Sequence, residues 1–135
     1  MKKKKTTSKL KKDLDKYFSQ YIRLRRASIG GITECFTCGK QDHWKKMQAG
    51  HFMSRRHLTT RWNELNVQVQ CVRCNMFNQG EQYKFGKLLD VRVGDGTSER
   101  LERLSRHKAM FRRPDYEELI DKYKEKVKKL INDCE

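Results

Sequence analysis

Apolar positions between residues 8 and 29 recur at helical spacing. Leu10, Leu14, Tyr17, Phe18, Tyr21, Ile22 and Leu24 fall near i, i+4, i+7, i+8 and i+11, with Arg25 at the edge of the stripe. The glycine pair Gly30–Gly31 predicts the stop. Residues 32–74 change character: Val67 and Val69 alternate with Gln68 and Gln70, the pattern of a short, half-buried strand. After Cys74 the pattern turns helical again through Met76, Phe77, Tyr83, Phe85, Leu88 and Leu89, interrupted at Gly80 and Gly86. Gly94-Asp95-Gly96 reads as a turn, and Thr97 or Ser98 as the cap of a helix carrying Leu101 and Leu104. Pro114 fits the first turn of a final helix, with Asp115 and Glu117 near its positive end. That helix has an apolar stripe of Tyr116, Leu119, Ile120, Tyr123, Val127, Leu130 and Ile131. The pairs Glu118–Lys122 and Glu125–Lys129 lie on its other face.

Composition narrows this picture. The chain of 135 residues is 36% hydrophobic and 36% charged, against a globular norm of about 45–50% apolar. The core must be small and the helices largely solvated. No apolar run approaches the roughly 18 residues of a membrane span. Lys2 to Lys5 look like the start of a secretory signal, but no apolar stretch follows. Membrane, secreted, collagen-like and disulfide-miniprotein classes are set aside. The formal charge is +15, and it is uneven: +9 over residues 1–31, +4 over 32–80 and +2 over 81–135. A basic arm ahead of a compact domain points to a polyanion, usually nucleic acid; a solvated lysine tail is the plainer reading of Lys2 to Lys5. The expected divisions are a basic arm and helix at 1–31, a cysteine-containing core at 32–92 and a helical region at 93–135, one compact domain overall.

The chemistry sits in the middle. Cys35-Phe-Thr-Cys38 and Cys71-Val-Arg-Cys74 form two Cys-x-x-Cys pairs with 32 residues between them. Two such knuckles close a tetrahedron around one Zn²⁺ at about 2.3 Å per Zn–S bond. Disulfides, a redox dithiol or buried cysteines are the alternatives. A reducing cytosol weighs against the first, and one redox dithiol would not explain two pairs. A four-thiolate site is structural, and it would offset the thin core, so loss of the metal is expected to unfold this segment. Cys134 is expected to be a free thiol.

Between and beside the knuckles lie Gly50-His51-Phe52, the arginines Arg55, Arg56 and Arg61, Asn66, and Asn75 directly after Cys74. A strand, a loop, a second strand and a helix would give His51, Asn66 and Asn75 a route to one point. Taken singly, His51 would be a packed histidine, Asn66 a strand-entry residue and Asn75 a helix cap. His43 and His57 read as surface histidines, and Trp44 and Trp62 as small-core residues around the zinc. The helices at 8–29 and 114–133 offer faces for a homodimer or for packing within one chain.

These motifs resemble the HNH, or His-Me finger, nucleases. Members with four zinc cysteines carry Cys-x-x-Cys, then a His, then an Asn five residues before a closing Cys-x-x-Cys followed by His or Asn. Asn75 makes the arrangement similar to that of phage endonuclease VII. The wider stretch, residues 8–130, resembles the phage NinG, or Rap, recombination proteins: Cys-x-x-Cys-Gly, Ala-Gly-His-Phe, an arginine-bearing loop, Gln-Cys-x-x-Cys-Asn and a basic helical end. The resemblance implies a helix-rich α+β fold with a ββα-metal core around a four-cysteine zinc site. It also implies a Mg²⁺- or Mn²⁺-dependent endonuclease acting on branched double-stranded DNA such as Holliday junctions or D-loops, in the host cytoplasm, with other recombination proteins as partners. His51 would be the general base, Asn66 would orient its ring, Asn75 would hold the catalytic cation, and Arg55, Arg56 and Arg61 would hold phosphates. The family usually has an acid or histidine before the base; Gly50 stands there instead, so the cation would be held by Asn75 with water and substrate phosphate, or Asn78, Glu81 or His43 would substitute, or the metal site is lost and the domain only binds DNA. The alternatives are a non-catalytic zinc DNA-binding accessory protein and an RNA- or ribosome-binding zinc ribbon.

Overall fold

Two long helices carry the largest core. In the computed structural model, which describes residues 4–134, α1 spans Thr7–Leu24 and α5 spans Arg113–Cys134; Lys2 and Lys3 of the basic arm lie outside the described residues. Thr6 caps α1 by accepting from the Lys9 amide at 3.1 Å. The stripe of α1 (Leu10, Leu14, Phe18, Ile22) packs on that of α5 (Tyr116, Ile120, Tyr123) together with Trp62 and Val67. Phe18 meets Tyr123 edge-on, ring centres 5.0 Å apart. The faces proposed for a homodimer are therefore spent on each other within one chain. This core also draws on all three expected divisions at once.

Helix α1 ends five residues earlier than the periodicity suggests. The Arg25 guanidinium turns inward, donating to the carbonyls of Glu64 (3.0 Å) and Val67 (2.7 Å) and to Gln68 Oε1 (3.1 Å). Ser28 then pairs its amide with the Ile32 carbonyl. Gly30 and Gly31 take φ of +95° and +80°, which favours glycine.

The middle holds two small antiparallel sheets. Strand β1 (Ile32–Glu34) pairs with β2 (Gln41–His43), and β3 (Gln48–His51) with β4 (Val67–Gln70). The half-buried expectation for β4 is overturned: all four residues are buried. Its glutamines go inside because distant partners take Gln70 Nε2 and Gln68 Oε1. Gln70 Nε2 donates to Thr37 Oγ1 (3.0 Å) and the Gly80 carbonyl (2.9 Å), and Gln68 Oε1 accepts from Arg25 and Arg92. Among the described residues the result is a helix-rich α+β protein with two two-stranded sheets and a four-cysteine cluster.

After β4 the chain makes a π-type turn at Arg73–Phe77 and a tight turn at Gln79–Glu81 before α3 (Gln82–Arg92). Phe85 and Leu89 of α3 pack with Phe36 and Leu101. Gly86 sits inside α3 because the Phe52 ring lies 3.0 Å from where a Cβ would stand. Met76, Phe77 and Tyr83 of the expected helical pattern face solvent. Helix α4 (Thr97–Ser105) is capped from α3: Asp90 accepts from the Ser98 amide (2.8 Å) and hydroxyl (2.9 Å), so neither Thr97 nor Ser98 is the cap. The short α2 (Leu58–Arg61) closes the loop between β3 and β4.

Glu64 pins that loop to both long helices. Its carboxylate accepts from the hydroxyls of Tyr21 (3.1 Å) and Tyr123 (2.8 Å), and Lys126 lies 3.7 Å away. Burial alone would raise its pKa, but the two hydroxyls, Lys126 and Arg25 outweigh it and hold it below the usual carboxylate range. Glu64→Gln is expected to cost about 1–3 kcal/mol at pH 7. A depressed folded pKa means the contribution is present above the unfolded carboxylate pKa and lost as pH falls through the folded one. Urea unfolding should therefore show a gap between wild type and variant that shrinks as pH falls below the usual carboxylate range.

Candidate functional site

The four sulfurs of Cys35, Cys38, Cys71 and Cys74 lie within 4.8 Å of one another, and Cys38 Sγ is 3.7 Å from Cys71 Sγ. A zinc tetrahedron with bonds of about 2.3 Å has edges of about 3.8 Å, whereas a disulfide would need about 2.05 Å. The donor set and the spacing fit one Zn²⁺. The first turn is closed by Gly39 N to the Cys35 carbonyl (3.0 Å) and Cys35 N to the Lys40 carbonyl (2.8 Å), with Gly39 at φ +81°. Phe36 N donates to the Val69 carbonyl (2.8 Å), which fastens this turn to β4. Burial opposes ionisation of Cys35, but amides of Cys71, Cys38 and Thr37 and the Thr37 hydroxyl bring its thiol down to about 6. Burial and its neighbours push Cys74 up to about 12. Four thiolates cannot share this space without a cation. Cys134 stands apart, packed with Leu24, Trp44 and Val127.

His51 ends β3, and the register turns its ring to the face of the sheet that carries Ala49, Val67 and Val69. It lines a cleft of about 80 Å³ with Asp15, Phe18, Ser19, Ala49 and Arg55. Nε2 lies 3.0 Å from the Arg61 carbonyl, an acceptor only, so Nε2 carries the hydrogen and Nδ1 keeps its lone pair. Burial pushes the imidazole pKa below its ordinary value; the Arg61 carbonyl and Asp15 pull it up, and the Arg55 and Arg61 charges push it down. The ring is neutral near pH 7, as a general base requires.

Asn66 does not touch that ring. It is buried, accepts from the Met53 amide (2.8 Å) and donates to the carbonyls of Met53 (3.1 Å) and Thr60 (3.0 Å), so it holds the two ends of the loop from β3 to α2. Asn75 sits inside the π-type turn, not at a helix cap; its Nδ2 donates to Gln48 Oε1 at 2.7 Å. Gln48 shares its sheet face with Gly50, Gln68 and Gln70, opposite the face of His51. The three polar side chains thus do not converge on one point as expected. Gly50 is tight: a Cβ there would run into the carboxamide oxygen of Gln70, a buried atom with no hydrogen-bond partner among the described residues.

The arginines divide. Arg61 is committed inward: Nε donates to Asp15 Oδ1 (3.1 Å), Nη2 to Oδ2, and Trp62 Nε1 adds 2.9 Å to Oδ1. Its side chain is 14% exposed, against 63% for Arg55, so the phosphate role expected of Arg61 gives way to a structural one. Arg56 is exposed, its Nε 3.3 Å from His57 Nε2. His43 stacks on Trp44 beside Gly31, with Nδ1 accepting from the Lys45 amide, in the β1–β2 sheet and away from the His51 cleft. Trp44 and Trp62 are core residues, but they belong to the helical clusters rather than the cluster around the cysteines.

The family model described as Bacteriophage Lambda NinG protein matches residues 1–133. The chain belongs to this family. NinG proteins are associated with phage recombination, and no helix among the described residues is long and apolar enough to cross a membrane. Searches of curated proteins and of solved structures return no match.

Sequence reading missed Asp15 of this NinG chain. Its one signal was an acid amid the most basic segment, beside Leu14 on the apolar stripe. Asp15 holds Arg61, and the Arg61 carbonyl holds His51. Removing the Asp15 charge takes away an influence that raises the His51 pKa, so Asp15→Asn is expected to lower it further. It should also loosen the preference for the Nε2–H tautomer. Imidazole ¹⁵N NMR titration checks both, with Asp13→Asn, a surface acid paired to Lys5 and Lys9, expected to change neither.

Proposed function

We propose that this NinG-family protein is a zinc-stapled endonuclease of the His-Me finger type, dependent on Mg²⁺ or Mn²⁺ and acting on branched DNA recombination intermediates in the host cytoplasm. The observation that carries the reading is the His51 ring: neutral, fixed through Nε2 by a main-chain carbonyl, its Nδ1 keeping a lone pair in a cleft that Asp15 and Arg55 also line. The β3–β4 pair followed by α3 serves as the ββα frame of this reading.

In it, Nδ1 of His51 takes a proton from water as the oxygen attacks phosphorus in line with the departing 3′ oxygen. Arg55 and Arg56 hold flanking phosphates. A divalent cation, when bound, polarises the phosphate and stabilises the leaving oxygen. The donors for it are sparse. Apart from the four cysteines, no three of the His, Asp and Glu side chains among the described residues gather as ligands. The resemblance gives the cation to Asn75, with Asn78 and Glu81 after it in the same turn, but Asn75 bonds Gln48 on the sheet face opposite His51, so on the His51 side the cation's positions fall to water and DNA phosphates.

The second reading, a non-catalytic zinc protein that binds DNA for recombination, is favoured by Gly50. That position lacks the usual acid, and Gln70 fills the space an acid would need. The two readings separate cleanly. Pure protein with a synthetic four-way junction and Mg²⁺ should cleave it, and His51→Ala should slow cleavage by about 10²–10⁴-fold. Equal cleavage by the variant sinks the catalytic role. Steeply salt-dependent binding with no cleavage under Mg²⁺ or Mn²⁺ selects the accessory protein.

A further inference from the structure

Three large apolar side chains stand in water between positions 76 and 83: Met76 is 62% exposed, Phe77 77% and Tyr83 79%. The chain between them is held in a costly shape. Gln79, Gly80 and Glu81 all take left-handed φ, at +54°, +82° and +50°, a region that side chains other than glycine avoid. The shape is fixed from several sides. Gln70 donates to the Gly80 carbonyl at 2.9 Å, Asn78 N to the Arg73 carbonyl at 2.8 Å, and Glu81 N to the Asn78 carbonyl at 3.0 Å. The projection is also tied to both ends of β3. Gln48 Nε2 reaches Met76 Sδ at 3.4 Å, and Gln82 Nε2 reaches the His51 carbonyl at 3.2 Å.

Its charge says what meets it. Arg73, Lys84 and Lys87 are exposed on the same stretch, and the Lys87 ammonium lies 4.5 Å from the Tyr83 ring centre. A second copy docked face to face would set these cations against themselves. A polyanion with flat apolar groups satisfies both features: phosphates take the lysines and arginine, and unstacked bases take the rings. We propose that Phe77 and Tyr83 form a stacking surface for the exposed bases at the branch point of DNA, immediately beside the strand that carries His51. This rests on the DNA-binding part of the reading above and not on its catalytic part.

The experiment is equilibrium binding of the full chain to a four-way junction and to a duplex of equal length, with Ca²⁺ in place of Mg²⁺ and no chelator. Phe77→Ala and Tyr83→Ala should each weaken junction binding by about 5- to 150-fold and leave duplex binding and thermal stability nearly unchanged. Phe77→Trp should retain affinity. Lys84→Ala with Lys87→Ala should weaken both DNAs and flatten the salt dependence. Unchanged junction affinity in the alanine variants, or equal loss on junction and duplex, overturns the stacking surface while the DNA-binding reading stands. A wild-type protein that binds neither DNA overturns both.

Discussion

Four sulfur atoms from two distant turns must occupy one small volume, and most of the middle of this protein follows from that requirement. The first turn joins β1 to β2; the second ends β4. Bringing them together lays Phe36 against Val69 and seats Met47 among the cysteines. A chain with 36% hydrophobic residues has little apolar surface to do this by burial alone. A cation bound there would supply what the core lacks and turn a crowd of mutually repelling thiolates into a fixed corner.

Around that corner the interior is unusually polar, and its order comes from carboxamides and guanidiniums with several partners each. Gln70 ties the first cysteine turn to the start of α3. Asn66 closes the loop behind His51. Arg25 joins the end of α1 to β4, and Glu64 joins the same region to both tyrosines. Such groups stabilise little individually but are costly to strand unpaired. They set positions more sharply than a greasy core of the same size. His51 benefits most: its ring is placed by a carbonyl whose own residue is locked by Asp15 from the opposite layer.

Much of this was legible along the chain. The stripes of α1 and α5, the two knuckles and the strand at β4 all appear as spacing, because periodicity and ligand geometry are local properties. What was not legible depended on partners far away in sequence. Arg55 and Arg61 look alike on paper; Asp15, 46 positions earlier than Arg61, takes two hydrogen bonds from Arg61 and meets Arg55 only at 3.9 Å. Gln68 and Gln70 read as the wet side of a strand, since nothing nearby announces Arg25, Thr37 or Gly80. Met76, Phe77 and Tyr83 continue a helical pattern along the sequence, but the chain breaks at the left-handed run 79–81 and all three stand in solvent. Asn75 fell where the motif puts it, yet the sheet's two faces separate it from His51.

Metal-dependent order in β4, the strand that links the cysteines to the histidine cleft, underlies the placement of His51. Amide hydrogen exchange across Val67–Gln70 in the reduced protein tests this directly. Strong protection is expected with zinc present, with loss when zinc is chelated and full recovery on adding one equivalent of Zn²⁺. Protection that persists unchanged in the zinc-free, reduced chain would contradict it.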